Sequence, residues 1–377
     1  MILLDSDIEY LIITMFLVFL FLTGIKRRQY DNCNMRDFVR GGVSTWLSID
    51  YNFSAAIKGI ACVLILMGHY RTYILHISED ETLITKIIGM SSANIALFLF
   101  MFFSGYGLSL KEYKGRNIIR DWFARVSKIY LPLLVTCVLM IAVYALLPDI
   151  FSPSEAKSLH VSSILHELHN IDSSNITKVL LAGIGWGGDW YVKCILMFYT
   201  IFYISVFVCN KISVNQTIIL SILMLVYFVW AYNYFGAPAA HYYRYPWVFM
   251  LGHIVAMWNK NPKKLSIIIM SIFMLTEIPC GLYYHIFSIM ALSILLLVAF
   301  INTRYEMKST YLLFMGGISY YYYLCHERIV CTIIAYTGIK SLLLWALITI
   351  PIAFLISMLH KKIIASCSFH RTCERIS

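Results

Sequence analysis

The stretch Ile57–Ile77, IKGIACVLILMGHYRTYILHI, is long and apolar enough to cross a bilayer as one helix, yet it carries Lys58 at its start and His69 near its middle. An ionisable side chain in hydrocarbon costs several kcal/mol, roughly 2.5 or more for a charged form at the centre of a span, so it marks a functional position by default. At about 1.5 Å rise per residue, the imidazole lies roughly 16 Å deeper than the ammonium. One group can then meet a soluble reagent at the membrane surface while the other works near the midplane. Taken alone, His69 also fits a neutral core histidine bonded to a neighbouring helix, so its surroundings have to decide.

Working outward, similar apolar stretches recur along all 377 residues, of which 60% are hydrophobic and 13% charged. The predicted fold is all-α, a polytopic transmembrane bundle of about eleven spans. The expected spans are 8–24, 57–77, 87–109, 129–148, 190–209, 216–235, 244–258, 265–283, 285–301, 311–335 and 341–360. The short span at 244–258 and the E-I-P-C-G sequence around Pro279 are the least regular. The longest polar gaps, 25–56 and 149–177, leave no room for a large soluble domain. The N-terminal span is a retained helix and not a signal peptide, because Asp5, Asp7 and Glu9 stand at its start and Lys26, Arg27 and Arg28 follow it.

The net charge of +10 is explained by topology. Basic residues gather in short connectors, at 26–28, 111–128, 260–264 and 361–371, as the cytoplasmic loops of a membrane protein do. Placing all of them inside gives an outside N-terminus and a cytoplasmic C-terminus, and leaves nothing that calls for nucleic acid. The ten cysteines stand singly, with no C-x-x-C pair, so Cys62, Cys137, Cys194 and Cys325 read as packing residues. Tyr and Trp crowd the span ends, as in HYYRYPW, in the manner of interfacial belts.

Three further segments hold candidate chemistry. KEYKGRNIIRDWFARVSK (111–128), read as a loop, sets six cations against Glu112 and Asp121. Two readings stand: positive-inside topology, or a face for a phosphate-bearing substrate with Arg120 and Arg125 as its likeliest members. LFLFMFFSGYGLSL places Ser104, Gly105, Tyr106 and Gly107 at one end of an apolar helix. Close helix packing is the favoured reading, with approach of a slender ligand to the backbone at Gly105 and Gly107 as the other. GGISYYYYLCHERIV puts Tyr320, Tyr323, His326, Glu327 and Arg328 within one span or at its edge. Glu327 and Arg328 can neutralise each other, while His326 and the tyrosines suit a polar cavity. The loop histidines His160, His166 and His169, the pair Asp189 and Lys193 flanking Trp190, and Glu277 are weaker candidates. No metal is expected.

These residues resemble the acyltransferase 3 family of bacterial membrane enzymes that O-acylate cell-surface glycans. K-G-I-A-C-V-L-I-L-M-G-H (Lys58–His69) looks like its [R/K]-x10-H signature, and F-F-S-G-Y-G (Phe102–Gly107) like its F-F-x-x-S-G-[FY] segment. R-x-x-K-I-Y-L-P (Arg125–Pro132), the pair Trp190 and Tyr191, and S-Y-x-x-Y-L-x-H (Ser319–His326) follow in the family's order. The resemblance covers about residues 55–360 and implies a ten-helix core. It makes 1–56 an extra span with a cytoplasmic connector, 57–360 the acyltransferase domain and 361–377 a basic cytoplasmic tail. Lys58 stands where the family often has Arg, giving a point charge in place of a bidentate fork. No esterase-like domain is expected after residue 360, so a partner chain would have to supply one.

The resemblance implies O-acylation, most often O-acetylation, in the bacterial inner membrane. An acyl group would pass from acyl-CoA, most often acetyl-CoA, on the cytoplasmic side to a sugar hydroxyl of a surface polysaccharide such as O-antigen or its lipid-linked precursor. His69 would be catalytic, as general base or transient acyl carrier. Lys58, Arg120, Arg125 and Lys128 would hold the acyl-CoA, with Ser104, Gly105 and Tyr106 along its path. Tyr320, Tyr323, His326, Arg328 and Trp190 would face the acceptor. Membrane lipids are the other implied partners, and a homo-oligomer is left open. The rival class is a transporter or flippase for a lipid-linked saccharide, against which the lack of an internal repeat counts modestly.

Overall fold

The structure, a computed structural model, describes residues 6–27, 49–77, 82–146, 190–236, 241–260, 282–326 and 341–366. The chain begins with α1 (Ser6–Gly24), β1 (Ile25–Arg27), α2 (Tyr51–Ile77), α3 (Leu83–Leu110) and α4 (Ile118–Leu146). It continues through α5 (Trp190–Ile212), α6 (Gln216–Phe235), α7 (Pro246–Lys260) and α8 (Leu282–Arg304). Then come β2 (Tyr305–Met307), α9 (Thr310–Cys325) and α10 (Leu342–Ser366). Among the described residues, six helices are long and apolar enough to cross a membrane: α1, α2, α3, α5, α6 and α10. Shorter apolar windows lie at Pro246–Met257 and Ser288–Arg304. The span expected at 265–283 and the Pro279 segment lie almost wholly outside the described residues, as does the second half of the span expected at 311–335.

Two helices start earlier than hydropathy suggests. The Asp50 carboxylate accepts from the Phe53 amide at 2.8 Å, so α2 opens before its apolar run. Asn117 Oδ1 accepts from the Arg120 amide at 3.1 Å, and α4 begins at Ile118. Most of the segment read as a cationic loop is therefore helix. Capping and backbone bonding, which a hydropathy count ignores, carry α4 through its charged first turns.

Small residues set the helix pairs. Gly316 of α9 lies against the Ala55 carbonyl of α2, and Gly59 lies against Leu312, so a Cβ at either position would overlap the facing backbone. Cys62 Sγ approaches Ser319 O at 3.8 Å, and the rings of His69 and His326 meet further along. The pairs 62–319 and 69–326 keep one offset, so α2 and α9 run parallel. The pairing of α2 with α3 is antiparallel, from the Tyr106 hydroxyl accepting from the Ile49 amide at 3.0 Å to Gly68 packed on Ala93. In contrast, α3 and α7 run parallel: Arg244, just before α7, donates through Nη1 to Asn94 Oδ1 at 3.1 Å midway along α3, and Ser109 Oγ at the end of α3 meets His253 Nδ1 at 2.7 Å midway along α7. Close approach at glycine is how helices associate where burial from water supplies no driving force.

At its start α1 clasps the bundle through buried Glu9, which accepts from Ser341 Oγ at 2.5 Å and from the Leu342 amide at 2.6 Å. Tyr10 donates to Met67 O at 3.0 Å. At the other end, β1 and β2 pair antiparallel, Lys26 opposite Glu306. This ribbon, absent from the all-helical expectation, joins the end of α8 to the end of α1.

The packing generates a paired test. Gly316→Ala should lower stability in detergent by about 1–3 kcal/mol through overpacking, whereas Gly317→Ala, whose Cβ would meet nothing within 4 Å, should leave the melting temperature unchanged. Equal melting temperatures would contradict the α2–α9 contact.

Candidate active site

A cavity of about 580 Å3 opens among α2, α3, α4, α5 and α9. Each helix contributes a stripe at helical spacing. Ser54 and Lys58 come from α2, Phe100, Phe103, Ser104 and Gly107 from α3, and Arg125, Lys128 and Ile129 from α4. Tyr191, Ile195 and Tyr199 come from α5, and Ser319, Tyr320 and Tyr323 from α9. Three cations thus face one space. Asp50 also lines it, with one carboxylate oxygen engaged in the α2 cap.

The cationic segment divides in two. Buried Asp121 draws Lys111 to 3.6 Å and Arg116 to 3.5 Å, turning both away from the cavity. Arg125 and Lys128, half-buried, line the wall, while Arg120 is exposed and does not. The small-residue segment divides similarly. Gly105 lies against the Phe249 carbonyl of α7, so it serves packing, whereas Gly107 is on the cavity wall with open space where a Cβ would stand. Ser104 lines the cavity and donates to Phe100 O at 2.9 Å. Tyr106 also lines it and binds the Ile49 backbone through its hydroxyl.

Beyond the inner end of the cavity are two histidines. The rings of His69 and His326 have centroids 5.1 Å apart, inclined at 56°. His326 is fully buried, and its Nδ1 lies 3.0 Å from Tyr322 O and 2.8 Å from Tyr323 O. Carbonyl oxygens only accept, so Nδ1 carries the proton, and in the neutral ring Nε2 holds the lone pair. His69 is half-buried and lies off the cavity wall. The register of α2 with α9 puts Tyr323 level with residue 66, about 4.5 Å below His69 along the axis. Tyr323 is thus the link: its ring is on the cavity wall, 6.0 Å from that of His326 and 4.9 Å from that of Tyr191.

The other expected residues scatter. Tyr320 is on the cavity wall, its hydroxyl donating to Ile129 O at 2.8 Å and fastening α9 to α4. Trp190 lies off the wall, stacked on Tyr245 at 5.8 Å and beside His241 at 4.9 Å. Burial, with Arg244 adding to it, lowers the His241 pKa to about 4, so that ring is neutral at pH 7. Arg328, His160, His166, His169, Asp189 and Glu277 lie outside the described residues. Cys62, Cys194 and Cys325 are buried. Among the described residues no three His, Cys, Asp or Glu side chains converge as metal ligands.

Sequence reasoning missed Ser54, Tyr191, Tyr199 and Ser319 as cavity residues. The signal for Ser54 is its place one turn before Lys58. For Tyr191 and Tyr199 it is the i, i+4, i+8 series with Ile195, which becomes visible once one member is known to face inward.

The chain matches the family model for the acyltransferase 3 family, described as an acyltransferase domain, over residues 49–362. No curated protein and no solved structure matches it significantly. The family match starts just before α2, ends within α10, and takes in every wall of the cavity and both histidines. Together with its apolar helices, this establishes a multi-pass membrane protein that belongs to the acyltransferase 3 family of acyltransferases.

Proposed function

We propose that this protein is a bacterial inner-membrane O-acyltransferase that moves an acetyl group from cytoplasmic acetyl-CoA to a hydroxyl of a surface polysaccharide or its lipid-linked precursor. The observation that carries this reading is the joining of Lys58, Arg125 and Lys128 around one cavity whose last ring, Tyr323, touches the histidine pair. Arginine forks and lysine point charges suit the phosphates of coenzyme A. A cavity of this size falls in the range of small-molecule sites. The slender thiol arm would run inward past Ser319 with the thioester leading.

In this reading the imidazole of His69 takes the proton of the acceptor hydroxyl as its oxygen attacks the thioester carbonyl. The carbon–sulfur bond then breaks, and the thiolate takes that proton back from the His69 imidazolium to leave as coenzyme A. Its half-buried position suits an acceptor arriving from the side away from the cavity. His326, fixed through Nδ1, and Trp190 belong to the acceptor side. Tyr320 and Tyr323 share the wall with the cations, which favours a donor-side role for both. The cations hold the donor in place, so positioning supplies much of the rate.

The helix directions support the eleven-span topology. Both α7 and α8 end on the side where α2 begins: α7 through its parallel run with α3, and α8 through the ribbon with β1. The eleven-span topology would have the span expected at 265–283, almost wholly outside the described residues, connect them. We assign residues 1–56 to an added span and connector, 57–360 to the acyltransferase domain and 361–377 to a cytoplasmic tail.

Membranes containing the protein should transfer label from acetyl-CoA to glycan, and His69→Ala should reduce that rate by about 10²–10⁴-fold with expression intact. A transporter would transfer no label. Arg125→Ala or Lys128→Ala should raise the KM for acetyl-CoA about tenfold, the scale of one lost hydrogen bond to a charged group, while Arg120→Ala should change it less than about twofold. Equal effects at all three positions would contradict the donor assignment.

A further inference from the structure

Aromatic side chains line the cavity on the side of the two histidines. Tyr191 reaches in from α5 and Tyr323 from α9, with ring centroids 4.9 Å apart and planes inclined at 53°. Phe100 of α3 backs Tyr191 at 6.4 Å, edge to face, and His326 backs Tyr323 at 6.0 Å. Tyr191 and Phe100 are both buried. All three of Phe100, Tyr191 and Tyr323 are also on the cavity wall. Tyr191 and Tyr323 therefore stand on the wall of the space that holds the cations, on the side where His326 packs.

That placement has a consequence for any donor anchored by its phosphates at Arg125 and Lys128. The thioester and its acyl group are at the far tip of such a molecule, so the acyl group is the first part to meet the rings. To bring the carbonyl carbon to His69, the acyl group has to lodge between or beyond Tyr191 and Tyr323. Packed interiors yield little space without cost, and every added methylene has to displace ring atoms already in contact. A two-carbon acyl group asks for the least displacement.

We propose that Tyr191, closing against Tyr323, is the acyl-size filter of this enzyme, admitting short acyl groups to the histidine pair and excluding long ones. The inference rests on the donor reading given under Proposed function. It adds a specificity-determining residue, Tyr191, that neither contacts the phosphates nor handles a proton. The ring is what matters, so phenylalanine preserves the filter and alanine removes it.

The test compares acetyl-, butanoyl- and octanoyl-CoA as donors in membranes containing the full-length protein, read as kcat/KM for transfer to glycan. Wild type should favour acetyl over octanoyl by at least about tenfold, the scale on which a hydrophobic pocket discriminates size. Tyr191→Ala should shrink that ratio about tenfold, mainly by raising octanoyl transfer, and Tyr191→Phe should keep it within about twofold of wild type. If Tyr191→Ala fails to accumulate, Tyr191→Leu reads the same shift, and the wild-type ratio alone still bears on the filter. Equal use of acetyl and octanoyl by wild type, an unchanged ratio in Tyr191→Ala, or a Phe variant that behaves like Ala would each overturn the proposal. Transfer from none of the three thioesters would instead refute the donor reading itself.

Discussion

The contact on which the site depends is the parallel packing of α2 on α9. With Gly316 on the Ala55 carbonyl and Gly59 on Leu312, two backbones come close enough to lock their relative height. That height puts Ser319 beside Cys62 and His326 beside His69. Van der Waals contact at small residues is short-ranged and steep, so a slip of one turn, about 5.4 Å, would separate the imidazoles altogether. The same two helices bring Lys58 and Tyr323 to the wall of one cavity. A single interface therefore fixes both the distance from anion site to histidine and the mutual placement of the two rings.

Electrostatics sorts the cations that topology supplies. Short connectors of a membrane protein collect positive charge on one side, and most of it has no further task. Asp121 withdraws Lys111 and Arg116 into a local cluster, Arg120 stays in solvent, and Arg125 and Lys128 turn toward the cavity. Lys58 joins them from inside a span, where a charge is tolerable because it faces the cavity and not lipid. On the far side, the backbone carbonyls of Tyr322 and Tyr323 fix the tautomer of His326 without adding charge next to His69. The site thus has a cationic end and a neutral, aromatic-lined end, which suits a donor with phosphates at one end and a thioester at the other.

Much of this was legible in the sequence because it follows from one-dimensional quantities. The apolar runs placed the helices, and Lys58 and His69 stood out as ionisable residues in one of them. Ten of the eleven expected spans coincide in large part with a described helix. What was missed depends on helical phase. Reading 111–128 as a loop left Arg120 and Arg125 equivalent, yet in a helix five residues turn about 140° and put them on different faces, while Lys128 returns to the face of Arg125. Gly105 and Gly107 differ in the same way, one meeting α7 and the other the cavity. Trp190 and Tyr191 are neighbours about 100° apart, and the wall took the second. The short ribbon between β1 and β2 left no signal, since its three-residue strands carry no periodicity and are specified by where α1 and α8 end.

The central claim is that the cationic cavity holds an acyl-CoA with its thioester pointed at the histidine pair. A cryo-EM structure of the protein with a non-transferable thioether analogue of acetyl-CoA tests it most directly. The account predicts diphosphate density against Arg125 and Lys128 and the sulfur against the Tyr191–Tyr323 pair, facing His69 and His326. Diphosphate density elsewhere on the bundle, or a bound analogue whose sulfur points away from the histidines, would contradict it.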